Sequence, residues 1–236
     1  MSGHSKWSTI KREKGAKDAK RGAVFTKIGN LIAIAARKGT DPTMNSNLAM
    51  AIEKAKAANM PAANIQRAID RVSDKNAAQL EELTYEAIGP GGVGIIIETA
   101  TDNRNRTFPE IKSLLTKNGA RIADAGSVMF QFTRKGVIRL NNHSEELLMT
   151  ALECGAEDAT EEDNELVTYT DQKNLAKVRE NLMNSGVDIL EADLQYVPNQ
   201  LVSIENNETS EKIIKILELI DDHDDVVNVY TNADLR

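Results

Sequence analysis

The chain of 236 residues, 41% of them hydrophobic, is long enough for two or three small domains with packed cores, which excludes disorder throughout. Its single cysteine, Cys154, excludes an intramolecular disulfide and a cysteine-built zinc site and fits a reducing compartment. Met1 to Lys20 hold no apolar run like a signal-peptide core, and no later stretch approaches the roughly 20 apolar residues of a membrane span, so a soluble, cytoplasmic protein is expected.

The first 75 residues read as an extended basic arm followed by helices. A helix over about Arg21 to Lys38 places Val24, Ile28, Leu31 and Ala35 on one stripe, and Gly39 stops it. Gly29 inside it weakens it by about 1 kcal/mol relative to Ala. A second helix follows Asp41-Pro42 with Leu48, Ile52 and Ala55 inward, and Pro61 opens a third with Ile65, Ile69 and Val72 in register. Ser73 to Gln79 reads as a linker.

Beyond it the period becomes strand-like. Leu83 to Ile88 and Val93 to Thr101 flank Gly89-Pro90-Gly91-Gly92, a strand, turn and buried strand. Thr107 with Glu110 matches a capping box for a helix burying Phe108, Ile111, Leu114 and Leu115 and ending at Gly119. Val128 to Phe132 and Val137 to Leu140 suit strands. Ser144 caps a helix bearing Leu147, Leu148, Ala151 and Leu152, with Cys154 as a small buried group near its end. Leu166 to Thr170 suits a strand, Asp171 caps a helix bearing Leu175, Val178 and Leu182, and Ile189 to Val197 is another strand. Leu201 to Glu205, a helix with Ile213, Ile216, Leu217 and Ile220, and Val226 to Tyr230 complete the chain. This tail is too small to bury a core alone. It is expected to complete the sheet begun at Leu83, which makes the segment between an insertion.

The net charge of -7 conceals a segregation. Residues 1 to 75 carry 15 Lys and Arg against 6 acids, a net of +9. Residues 76 to 136 balance, residues 137 to 200 net -10 and residues 201 to 236 net -6. A basic face with few acids creates a directional field, so a polyanionic partner for the first segment is expected.

The candidate binding residues are Lys6, Trp7, Lys11, Arg12, Lys14, Lys17, Lys20, Arg21, Lys27, Arg37 and Lys38. A basic segment can follow a phosphate backbone; the alternative for these cations is a solvated face. Trp7, the only tryptophan, can stack on an unpaired base or anchor the arm to its own domain. Gly89 to Gly92 lacks the Lys-Ser/Thr of a phosphate loop and joins two strands, so a hairpin turn is the better reading. His4, His143 and His223 have neither metal-ligand spacing nor a neighbouring nucleophile, and Asp221 to Asp225 lacks the glycine and terminal Glu of a calcium loop, reading instead as a solvated turn.

Met1 to Trp7, Ile10-Lys11, Lys17 to Gly22, Phe25-Thr26-Lys27, Ala57 to Pro61, Tyr85-Glu86, Gly89 to Val93 and Gly126-Ser127-Val128 together resemble the YebC/PmpR family over essentially the whole chain. The resemblance implies an α+β fold of three domains: a basic helical domain at 1-78, a discontinuous α/β domain at 79-134 plus 200-236, and an acidic, inserted α/β domain at 135-199, the last two ferredoxin-like. It implies a non-enzymatic, DNA-binding transcriptional regulator, with a ribosome-associated, RNA-binding translation factor as the alternative. No cofactor, metal, membrane or small-molecule substrate is expected. Asn47 to Met50 depart from the family pattern, where a basic residue is common, which weakens the case for phosphate binding by that helix.

Overall fold

The computed structural model describes residues 7, 10, 21–72, 79–162 and 164–235. They divide into two compact units, one comprising Ser5–Gln131 with Leu201–Arg236, the other Phe132–Gln200. The expected linker falls largely on residues 73–78, outside the described residues.

In the first unit, helices α1 (Arg21–Ala36), α2 (Ser46–Ala57) and α3 (Ala62–Asp70) share an apolar cluster built on Ile28, Ile32, Leu48, Ala55, Ile65 and Ile69. The spacing of Ile28, Ile32 and Ala36 keeps one stripe of α1 inward. Asn45 starts α2 by accepting a hydrogen bond from the Leu48 amide, and its own amide group donates to the Ala35 and Gly39 carbonyls, so one buried side chain ties the end of α1 to the start of α2. Pro61 occupies the cap position of α3. Val72 is 39% exposed and lies past the end of α3, so it does not extend the buried stripe.

The sheet of this unit has the order β3-β1-β2-β9, with β1 at Glu81–Ile88, β2 at Gly94–Thr101, β3 at Arg121–Ile122 and β9 at Val226–Thr231. β1 and β2 are antiparallel, Ile88 opposite Gly94, and Gly91 and Gly92 take φ of 73° and 78° in the turn between them, a backbone region that favours glycine. The C-terminal strand β9 pairs with β2, Ile97 opposite Val229. Helices α4 (Arg104–Lys117) and α7 (Asn207–Asp221) contribute Ile111, Leu115, Ile213, Ile216, Leu217 and Ile220 to the cluster that holds Ile95 and Ile97. The short strands β8 (Val202–Ser203) and β10 (Ala233–Asp234) pair in parallel. Asn232, buried between them, accepts from the Gly94 amide at 2.7 Å and donates to Gln131 at 2.7 Å.

The second unit runs β4 (Phe132–Leu140), α5 (Glu145–Glu153), β5 (Asp158–Glu162), β6 (Glu165–Asp171), α6 (Leu175–Asn184) and β7 (Ile189–Pro198). Its antiparallel sheet has the order β5-β6-β4-β7, the ferredoxin-like arrangement. Gly136 lets α6 approach β4, since a Cβ there would lie 2.7 Å from Thr170 Cγ2 and 2.9 Å from Leu175 Cβ.

Four local expectations are corrected. Thr107 is not a cap: Asn103 caps α4, and Thr107 sits buried inside it with its hydroxyl on Asp225. Asp171 does not cap α6 directly, because its carboxylate accepts from the Lys173 amide in a turn that precedes the helix. Residues before Phe132 form a turn and a short 3-10 segment at Met129–Gln131 rather than a strand, because the Gly126, Val128 and Met129 amides bond a side chain. Asp225 in the acidic run is buried, not solvated.

Candidate nucleic-acid interface

Of the candidate binding residues, Lys6, Lys11, Arg12, Lys14, Lys17 and Lys20 lie outside the described residues. Trp7 is 3% exposed, in the apolar cluster that contains Val93, Ile95 and Ile204. The ring is enclosed by apolar side chains there, a packed environment. Arg21 opens α1.

Lys27 projects from the middle of α1 to the end of α7. Its ammonium donates to the Asp221 carbonyl and lies 3.9 Å from the Asp221 carboxylate. A cation at a helix C-terminus meets carbonyls that lack intrahelical partners and the negative end of the helix dipole, so Lys27 docks α1 on the sheet domain. Arg37 donates to the Leu80 carbonyl at 2.8 Å and is otherwise exposed, which leaves guanidinium N–H groups facing solvent. Lys38 is exposed beside it. Of the expected binding residues whose side chains are described, Arg37 and Lys38, just past the end of α1, are the exposed ones. Lys56 on α2 and Arg67 on α3 are further exposed cations of the helical module.

Two buried carboxylates brace the sheet domain. Glu86 on β1 accepts from the backbone amides of Gly126, Val128 and Met129 at 2.5, 2.6 and 2.7 Å. Burial opposes its charge, but the three amides outweigh burial and hold the carboxyl below its ordinary value. Asp225, after α7, accepts from Arg106 at 2.8 Å, Thr107 at 2.6 Å and Thr101 at 3.1 Å. Burial again raises its pKa, but the hydrogen bonds from Arg106, Thr107 and Thr101 together outweigh it, the net shift being downward. Arg106 also reaches Asp102 at 3.2 Å, and His223 bonds Glu110 at 3.1 Å. These links lock the start of α4 to the loop between α7 and β9. Among the described residues no group of three or more His, Cys, Asp or Glu could hold a metal, and no helix is long and apolar enough to cross a membrane.

Fold and site together define a multidomain α+β protein in which a helical N-terminal module is followed along the chain by sheet-based domains. Residues 5–75 match the TACO1/YebC protein N-terminal domain and residues 80–233 match the TACO1/YebC second and third domain, and the chain belongs to that family. Among its relatives, a "probable transcriptional regulatory protein" of Moorella thermoacetica is 48% identical over all of this chain and 96% of its own length. A protein of the same name from Halothermothrix orenii is 43% identical, again over all of this chain and 96% of its own. A conserved hypothetical protein of Aquifex aeolicus has a crystal structure that superposes with a TM-score of 0.86 at 41% identity, covering 92% of this chain and 91% of the other.

Proposed function

We propose that the chain is a non-enzymatic, cytoplasmic regulator of gene expression that binds nucleic acid through its basic N-terminal segment. The observation that carries this reading is the charge segregation, +9 over residues 1 to 75 against -10 and -6 over the last two segments. A polyanion is drawn to the first segment and repelled by the others, which orients the molecule on its target before any specific contact forms. The names of the relatives support transcription as the process, and DNA is the target that fits it. Binding of ribosomal RNA by a translation factor is the second reading, favoured by the exposed aromatic and cationic face of α4 described below. In both, Lys11, Arg12, Lys14, Lys17, Arg37 and Lys38 neutralise phosphates, while Trp7 and Lys27 hold the binding module to the rest of the unit.

The test is salt dependence, measured on the whole chain because α1 is docked on α7. Replacing Lys11, Arg12, Lys14 and Lys17 with Ala should weaken binding to many sequences about uniformly. If about three of the four contact phosphates, the slope of log K against log salt falls by roughly 2 to 3. An unchanged slope would exclude the arm as the phosphate-binding element.

A further inference from the structure

On the sheet domain an exposed aromatic ring stands among cations of α4. Arg104, Phe108 and Lys112 stand at i, i+4 and i+8 on α4 and therefore share one exposed stripe. Phe108 is 38% exposed although it is among the largest apolar side chains, and the Tyr85 ring supports it from β1 at a centroid distance of 5.7 Å and an angle of 43°. Lys112 Nζ lies 6.0 Å from the Phe108 centroid, at the outer limit of a cation–π contact, where it is positioned but weakly held. Arg104 is close enough for its charge to act on the Tyr85 hydroxyl, against the burial that raises that group's pKa.

The acids nearby are engaged elsewhere. Asp102 and Asp225 bind Arg106, and Glu110 binds His223. Glu81, which also acts on Tyr85, is a like charge to a phosphate. Among the described residues neither Arg104 nor Lys112 forms an ion pair, so an exposed ring is left between two uncompensated cations. The stripe is rigidly presented, because the Asp225 and Asn103 contacts fix the first turn of α4.

An aromatic face between cations matches the chemistry of an unpaired nucleotide: a flat π surface to stack and anionic groups on both sides. Duplex DNA hides its base faces in the stack. Unpaired bases are offered by RNA loops and single-stranded stretches, which proteins read by stacking on aromatic side chains. We propose that the Arg104–Phe108–Lys112 stripe is a second contact surface for single-stranded RNA, Phe108 stacking on an unpaired base and the two cations taking the adjacent phosphates. This inference rests on the nucleic-acid reading of the basic segment and adds a target preference to it.

The experiment measures binding of the full-length chain to an unstructured RNA oligonucleotide, single-stranded DNA of the same sequence and a DNA duplex, each over the same series of salt concentrations. Phe108→Ala should weaken RNA binding at least about five-fold, the lower end of the effect of losing one stacked base, and leave the duplex unchanged. Phe108→Trp should retain RNA binding, a rescue that a merely structural role would not produce. The double variant Arg104→Ala/Lys112→Ala should also lose RNA affinity, with a shallower salt dependence. Wild-type binding to RNA that none of these changes alters would overturn the surface and leave the basic segment's role standing. Equal losses on RNA and duplex would also overturn it, and tighter binding of the single-stranded DNA than of the RNA would overturn the assignment to RNA. A wild-type chain that binds none of the three would instead overturn the nucleic-acid reading itself.

Discussion

Glu86 shows how one side chain can shape a loop. Its carboxylate satisfies three backbone amides of the Gly126 to Met129 segment, donors that would otherwise be orphaned beside β1. Glu86→Ala should therefore cost on the order of 3 kcal/mol or more, since truncation leaves several partly buried donors unpaired. Chemical denaturation compared with the wild type checks this. Glu86 and Asp225 both have folded pKa values below their unfolded ones, so their contributions are fully present above the unfolded values, about 4.5 and 3.8, and are lost as pH falls through the folded ones. Stability should fall steeply below about pH 4.5. In Glu86→Gln and Asp225→Asn the acid limb should flatten, and a limb of unchanged steepness in both would assign the acid sensitivity to other groups.

Two glycines test the packing of whole elements, in opposite directions. Gly29 lies inside α1, and a Cβ there would meet nothing within 4 Å. Gly29→Ala should stabilise the chain by about 0.5 to 1 kcal/mol, because alanine loses less backbone entropy on entering a helix. Gly136 lies on β4 under α6, where a Cβ would meet backbone-proximal atoms at 2.7 and 2.9 Å. Gly136→Ala should destabilise by about 1 to 3 kcal/mol through overpacking. Thermal unfolding midpoints shifted in these opposite senses would support the packing described; a stabilised Gly136→Ala would contradict it. Helix starts follow the same logic at a distance. Thr107 looks like a cap in sequence because capping needs only a hydroxyl and a Glu three residues on, yet a residue 118 positions away in the chain claims that hydroxyl.

For the whole molecule, the connections into and out of the second unit run side by side. Phe132 faces Pro198 and Thr133 faces Val197 on adjacent antiparallel strands, and Thr133 Oγ1 bonds Asn199 at 2.6 Å. Partners across such a pair are about 5 Å apart, so a short linker can replace everything between them. The division expected from sequence, 1-78, 79-134 plus 200-236 and 135-199, therefore makes a firm forecast. A chain with residues 135 to 199 replaced by a short Gly/Ser linker should still fold cooperatively with the β9 strand in place, as followed by circular dichroism and amide exchange of Val227 and Val229. Loss of protection at those amides would show that the acidic segment is no simple insertion. Removing it also removes a net charge of -9, so nucleic-acid affinity should rise at low salt.

Periodicity and punctuation were enough for the helices of the first module, the hairpin at Gly89 to Gly92, the helix bearing Ile213 to Ile220 and the long strands, because these are decided by residues three, four or two apart. The charge segregation that carries the functional reading is likewise a property of composition along the chain. Tertiary structure alone decided the rest. The two-residue strands β3 and β10 are too short for a periodic signal and exist because β1 and β8 present open edges to them. The burial of Trp7 in the sheet domain's core and the bond from Lys27 to the end of α7 likewise depend on residues far away in the chain. The Arg104–Phe108–Lys112 face was hidden for a similar reason: Phe108 keeps the helical spacing of a core residue, and only the packing of α4 shows that its ring reaches solvent between two cations.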